Sequence, residues 1–223
     1  MKKIKEVLMR HEILLNISAL LYCIINMNHY SRLWSKNKIK LNGAFLRRTI
    51  IKIKGKDNVV EIGQCCKLNN CKIFISGNQN HVKIEEQCVL NEVEIWIEDS
   101  LGQVSIGHNT WVTGNTHLAV IEGKSIRIGR NCLFAKDITV RTGDSHSILD
   151  YTGNRINHSE NVEIGNHVWI GQKVCILKGT EIGDESIVGT GAIVTKKFKN
   201  NSLLLGVPAI VRKENISWVA DRI

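Results

Sequence analysis

An all-β parallel solenoid is the fold this sequence predicts, and three observations predict it. Ile164, Ile170, Ile176, Ile182, Val188 and Val194 recur every six positions, and Gly165, Gly171, Gly183 and Gly189 follow four of them. Upstream, Ile62, Ile84, Ile106 and Ile128 recur every 22 positions, each preceded two residues earlier by Val60, Val82, Val104 or Ile126. Aromatic residues make up only 5% of the chain while Val and Ile abound, as a narrow stacked interior requires. A period of six fits neither an amphipathic helix at 3.6 residues nor a strand at 2.0; it needs a short strand and a turn, repeated. That is the signature of a β-helix, in which each side is one hexad and successive coils stack their strands.

The elements follow in chain order. Residues 1–34 lack the repeat, and from Ile4 to Met27 the apolar residues follow helical spacing. The apolar run Ile13 to Met27 has 15 residues, short of the roughly 20 a membrane span needs, and no small-residue cleavage pattern follows it. The segment reads as a helix over the open end of the solenoid, where strands would otherwise expose unpaired backbone. Weak attachment to a membrane surface, or attachment to a partner, is the second reading.

The solenoid occupies 35–205. It has a less regular lead-in from Ile39 and six coils beginning near 62, 84, 106, 128, 164 and 182, a prism about 30 Å long at ~4.8 Å per strand. Within the 22-residue coils the hexad starts recur at Leu68 and Phe74, Leu90 and Trp96, Val112 and Leu118, and Phe134 and Val140. Four extra residues per coil fall around Gly77 to His81, Asp99 to Gln103 and Gly123 to Ser125, all of turn composition. Between Val140 and Ile164 the rhythm breaks for an insertion of 18 residues, giving a long loop over 141–161. A C-terminal extension, 206–223, begins where Pro208, the only proline, ends the repeat.

Composition narrows the function classes. The 30 basic and 21 acidic residues give a formal charge of +9, but no recognition helix or aromatic single-strand platform accompanies it, so nucleic acid is not the expected partner. An anionic polymer would profit from such a field, and Lys196, Lys197 and Lys199 offer cations to a polyanionic cofactor. Cys66, Cys88 and Cys132 occupy the inward position shared with Thr110 and Val168, which makes them a ladder of small core residues. Paired C-x-x-C spacing is absent, no metal site is expected, and thiol usage points to a reducing cytoplasm.

The hexads, the stretch Asn166-His167-Val168-Trp169-Ile170-Gly171, and Gly206-Val207-Pro208-Ala209 with Arg212 resemble the hexapeptide-repeat acyltransferases. Within that family, Asp144-Ser145-His146, Gly153 to His158 and Val162 to Gly171 are most similar to bacterial O-acetyltransferases that modify sialic-acid-containing capsular polysaccharides. The resemblance covers 128–218 and implies a left-handed β-helix, a homotrimer, and acetyl-CoA in a groove between subunits.

Acetyl transfer to an alcohol needs a base, donors for the developing oxyanion, and a channel that holds thioester against acceptor. His146, in the long loop, is the best base in the chain, and the resemblance assigns that role to a histidine of this loop; Asp144 is a candidate to orient it. The resemblance places Trp169 in the active site and Thr190, Thr195, Lys196, Pro208, Arg212 and Lys213 against coenzyme A, with Gly171 admitting the pantetheine arm. Ser147 stands where many relatives have proline, and Gln172 where many have a small residue. Two alternatives remain: a small-molecule acetyltransferase acting on a sugar, amino sugar or serine, and a zinc carbonic anhydrase-like solenoid using His81, His117 and His146, although the ligand spacing of that class is absent.

Overall fold

A computed structural model describes residues 12–31 and 36–221, and over them the chain winds a parallel β-solenoid of about seven turns with three faces. The first face is an eight-stranded sheet running from Lys38–Lys40 through Val59–Ile62, His81–Ile84, Gln103–Ile106, Ser125–Ile128, Val162–Ile164 and Glu181–Ile182 to Lys197–Phe198. The second and third faces join into one 15-stranded sheet, because Trp111–Val120 and Leu133–Arg141 run unbroken through the corner between them. Register follows the sequence period: Val60 pairs with Val82, Val82 with Val104, Val104 with Ile126, and Ile126 with Val162 across the loop insertion. These residues and the hexad starts Ile164 to Val194 are buried, each contributing one layer to a continuous core.

Two details depart from the sequence expectation. The lead-in from Ile39 is itself a coil, with Ile39 paired to Val60 at a spacing of 21 rather than 22, so the stack holds about seven turns rather than six. In the coils starting at 62 and 84, Phe74 and Trp96 do not point inward. Ile73, Ile75, Ile95 and Ile97 fill the interior, while Phe74 and Trp96 stack on each other outside, with ring centroids 4.2 Å apart. The reason is one residue at a corner. Leu118 pairs with Ile95 at a spacing of 23, because the corner at Asn115 holds an extra residue that the earlier corners at Asn70 and Glu92 lack.

The corners explain the hexad's composition. A Cβ on Gly165 would lie 2.7 Å from the Asp184 backbone nitrogen of the next coil, so glycine here serves close stacking. The left-handed conformation comes two residues later, at Asn109, Asn131, His167, Glu185 and Asn201, whose φ values lie between 52° and 61°. Inside the corners, small polar groups satisfy backbone carbonyls one coil up. The Cys88 thiol donates to Gly107 O at 3.1 Å, Thr110 Oγ1 to Gly129 O at 2.9 Å, and the Cys132 thiol to Gly165 O at 3.2 Å. The predicted cysteine ladder is therefore core, and burial pushes the Cys132 thiol up to about 11, which keeps it protonated and inert. At the third corner the buried Asn37, Asn58 and Asn80 form an amide ladder, with Asn58 Nδ2 donating to Asn37 Oδ1 at 3.1 Å and Asn80 Nδ2 to Asn58 Oδ1 at 3.0 Å.

The N-terminal helix spans Glu12–Ile25; the part of the predicted helix before Glu12 lies outside the described residues. Leu15, Ala19 and Cys23, spaced four apart on one stripe, are its buried residues. Cys23 Sγ donates to Ala44 O at 3.5 Å and Tyr22 meets Phe45 edge-on at 5.6 Å, which docks the helix on the first coil. Among the described residues no helix is long and apolar enough to cross a membrane.

Candidate functional site

The 18-residue insertion leaves the third face after Arg141 and rejoins the first face at Val162. Its root is tight: a Cβ on Gly143 would lie 2.2 Å from Ser159 Oγ and 2.5 Å from Ile121 Cδ1, so only glycine lets the outgoing and returning chains cross there. The tip is a turn built on Asp150, whose Oδ1 accepts from the backbone of Thr152 and Asn154, both at 2.9 Å. Behind it Arg155 reaches Glu122 on the solenoid at 2.6 Å, and that guanidinium holds the Glu122 carboxyl below the usual range.

His146 stands exposed on the outgoing arm, and its backbone is held by Asn157, which is buried. Asn157 Nδ2 donates to His146 O at 2.8 Å and to Asp144 Oδ2 at 2.9 Å, while Oδ1 accepts from Ile148 N at 2.7 Å and Arg155 Nε at 3.3 Å. One amide thus fixes the chain on both sides of the histidine. Asp144 does not reach the His146 ring. Its carboxylate accepts from Lys178 Nζ at 2.5 Å and from Asn157, and these donors, Lys178 first, depress its pKa. The expected Asp144–His146 pair is replaced by a strut from the loop to Lys178, because Lys178 and Asn157 take the Asp144 carboxylate.

Trp169 lies on the second face, exposed, in register between Leu133 and Ile187. Beside it, His167 pairs with Glu185 at 2.7 Å and stacks on Trp218, with centroids 4.3 Å apart and planes within 10°. Trp218 Nε1 donates to His167 O at 2.7 Å, and Ser217 Oγ to Glu185 Oε2 at 2.8 Å. The C-terminal segment is thereby pinned along the second face, where it walls a groove of about 470 Å³ lined by Asn109, Trp111, Asn131, Leu133, His167 and Trp218. The sequence reading singled out neither Asn157 nor Trp218. Trp218 stood as a lone aromatic in a polar tail; for Asn157 no sequence signal marked the role, because it depends on the loop folding back.

The remaining predicted residues gather at the C-terminal end. Thr190, Thr195, Lys196 and Pro208 are exposed, and Gly206 to Ala209 is bound against the last third-face strand, with Ala209 N donating to Ile193 O at 2.7 Å. Arg212 and Lys213 lie on Ile210–Lys213, an exposed strand antiparallel to Leu203–Leu205. The ion pairs of the described residues engage Lys197, with Glu181 at 2.5 Å, but not Lys196, Arg212 or Lys213. Gly171 differs from expectation: it is buried, and a Cβ there would lie 2.7 Å from Thr190 N. The close approach that its missing side chain permits is that of the next coil. His81 and His117 lie on the first and third faces, His81 within 3.5 Å of Glu61 and His117 with its pKa lowered by burial. Within one chain, then, His146 and Trp169 stand on different sides of the prism.

Residues 161–196 match the family described as bacterial transferase hexapeptide (six repeats). The chain is 35% identical to a polysialic acid O-acetyltransferase of Neisseria meningitidis over 169 residues, which cover 67% of this chain and 70% of that protein. It is 36% identical to the galactoside O-acetyltransferase of Escherichia coli K12 over 130 residues, 49% of this chain, and spans 63% of that relative's length. Among solved structures, the polysialic acid O-acetyltransferase OatWY superposes with a TM-score of 0.83 at 31% identity, covering 88% of this chain and 93% of that one.

Proposed function

This chain belongs to the hexapeptide-repeat acyltransferases, and from that premise we propose that it is an acetyl-CoA-dependent O-acetyltransferase acting on a hydroxyl of a cell-surface polysaccharide, with sialic-acid-containing capsular glycan as the acceptor class. The observation that carries the reading is the presentation of His146: an exposed imidazole on a loop whose backbone is clamped on both sides by one buried asparagine. A base must meet its proton in a fixed geometry, and the clamp supplies it.

The residues present fit acetyl-CoA. Lys196, Arg212 and Lys213 are exposed cations outside the ion pairs of the described residues, suited to phosphates, and Thr190, Thr195 and Pro208 lie at the same end of the prism. Acetyl-CoA supplies an acyl group already activated as a thioester. The His146 imidazole takes the acceptor proton as the hydroxyl oxygen bonds to the acyl carbon; the C–S bond breaks, and the imidazolium returns that proton to the departing sulfur. The products are the acetyl ester and the free thiol, and the histidine ends neutral.

His146 and Trp169 occupy different sides of one prism, so a site using both takes them from adjacent subunits, and a homotrimer places three such sites at its seams. Exposed Ile148, Leu149 and Tyr151 on the loop and Trp111 and Trp169 on the second face supply apolar surface for that contact. A reducing cytoplasm suits a chain whose Cys66, Cys88 and Cys132 are buried as thiols in the core ladder.

The test is thiol release from acetyl-CoA with oligosialic acid, free sialic acid and galactosides as acceptors. Acetylation of the oligomer, falling at least about 100-fold in His146→Ala with the assembly's mass unchanged, is the expected result. Full activity in that variant overturns the assignment of the base. The similarity to a galactoside O-acetyltransferase favours a second reading, a small-sugar acceptor, which transfer to galactosides alone would select.

A further inference from the structure

The net charge of this chain is not spread over it. Of 30 basic and 21 acidic residues, 13 and 3 fall within positions 1–57, leaving 17 and 18 for everything after. The solenoid that carries His146 is therefore close to neutral, and the whole excess belongs to the N-terminal end.

At that end six of the described basic residues form a collar. Lys38 and Lys40 stand on the first face of the first coil, Arg47 and Arg48 at the second, and Lys52 and Lys54 on the third, all exposed. Among the described residues Lys40 alone of these six enters an ion pair, with Glu61 at 2.5 Å, and Lys54 lies 5.8 Å from the Phe74 ring.

The helix Glu12–Ile25 sits against this coil and is apolar on both sides. Leu15, Ala19 and Cys23 pack inward. Ile13, Leu14, Ile17, Leu20, Leu21, Ile24 and Ile25 are 48–77% exposed. At about 100° per residue they fall between roughly 140° and 280° from Leu15, opposite the buried stripe. A helix apolar all round is stable only when both sides are covered, and the solenoid covers one.

We propose that this outer face is a membrane-docking surface: the helix lies in the interface of an anionic bilayer, its apolar side among the acyl chains and the lysine and arginine collar among the acidic headgroups. The pairing of the two features selects the occupant. A second copy of the chain would cover the apolar face but press one basic collar against another. An anionic glycan would neutralise the collar but offer nothing apolar. An anionic lipid surface satisfies both. Among the described residues the helix is too short to span, since the 14 residues Glu12–Ile25 make about 21 Å against a hydrocarbon core of about 30 Å.

Sedimentation of the full chain with vesicles of phosphatidylcholine, with and without phosphatidylglycerol, tests this. The protein is expected to partition onto the anionic vesicles at low salt and to be released by high salt. The variant Ile17→Glu/Leu21→Glu/Ile24→Glu, which alters only exposed positions, should lose that binding. Lys38→Gln/Arg47→Gln/Lys52→Gln, one change per face, should weaken it about 100-fold, at roughly fivefold per charge. Both variants should keep the acetyl-transfer rate of the parent on a soluble acceptor, so failure here is distinguishable from failure of the catalytic assignment. Absence of binding to the anionic vesicles overturns the proposal. So does a change in solution mass in the triple glutamate variant, which would make the occupant a second copy, or collar-dependent binding of soluble oligosialic acid without vesicle binding.

Discussion

Replacing Asn157 with alanine removes four hydrogen bonds from the root of the His146 loop and leaves the ladders of the solenoid untouched. Two of the lost bonds, to His146 O at 2.8 Å and from Ile148 N at 2.7 Å, hold the backbone on either side of the base; the third, to Asp144 Oδ2 at 2.9 Å, ties it to the Lys178 strut. The fourth, from Arg155 Nε at 3.3 Å, is long enough to neglect. At about 0.5–1.5 kcal/mol net for each, the three sum to roughly 1.5–4.5 kcal/mol. The loop's outer arm is exposed and water can replace part of this, which favours the lower half of the range, about 2 kcal/mol. Expressed as loss of the held conformation, that is about thirtyfold. The expected outcome is a fall in kcat/KM of about this size, with global denaturation little changed and amide exchange at Ile148 accelerated. Activity within twofold of the parent together with unchanged exchange at Ile148 would refute the claim that Asn157 positions the base. A loss of global stability with loop exchange unchanged would refute the claim that its effect is local.

Asn58→Ala breaks the amide ladder at its centre, where the Asn58 carbonyl oxygen accepts from both the backbone and side chain of Asn80, at 2.9 and 3.0 Å; the Asn80 side chain keeps Asp99 O at 3.0 Å, but its backbone N–H and one side-chain N–H lose their acceptor in a buried corner, so urea denaturation should show a loss of about 2–4 kcal/mol. Cys88→Thr should cost less than about 1 kcal/mol by the same measurement, since Thr110 already makes the equivalent bond one coil above, whereas Cys88→Leu should cost about 1–3 kcal/mol through overpacking. Asp144 has a folded pKa below its unfolded value of about 3.9, so its anchoring is present above that value and lost as pH falls through the lower folded value; loop exchange in the parent should rise only in acid, and in Asp144→Asn it should be raised at neutral pH as well.

What could be read from the sequence was whatever repeats. Buried positions such as Ile62, Ile84 and Ile106 declare themselves because each sits in the same layer of the coil, and the insertion after Val140 declares itself as the place where that layer is missed. Phe74 and Trp96 were misread because a hexad rule holds only while every corner has the same number of residues; the corners at Asn70 and Glu92 have one fewer than the corner at Asn115, and one residue turns a strand over. Gly171 shows a limit of a different kind. A glycine that admits a ligand and one that admits the neighbouring coil look alike in sequence, and only the Thr190 backbone against it tells them apart. The partners of Asp144 were beyond reach for the same cause: Lys178 lies 34 positions away, and nothing local connects them.

The segregation of charge bears on how an anionic acceptor finds His146. A field from the whole chain was the natural expectation from a formal charge of +9, but the excess lies in the first 57 residues. The loop leaves the coil that begins near Ile128, four layers from the coil of Ile39, or about 19 Å at ~4.8 Å per layer. The screening length at physiological salt is about 8 Å, so the collar contributes little at the base. The nearby cations replace it only in part: Arg155 is paired with Glu122 and Lys178 with Asp144, which leaves Arg141, donating to Ser145 Oγ at 3.1 Å, outside the ion pairs of the described residues and able to act only at short range. An anionic glycan chain must therefore be held at this site by short-range contacts, from the loop, from the second-face groove and from whatever an adjacent subunit adds, rather than drawn in by long-range attraction. The KM for such an acceptor should accordingly respond weakly to salt and not at all to removal of the collar, while attachment to anionic vesicles should respond strongly to both.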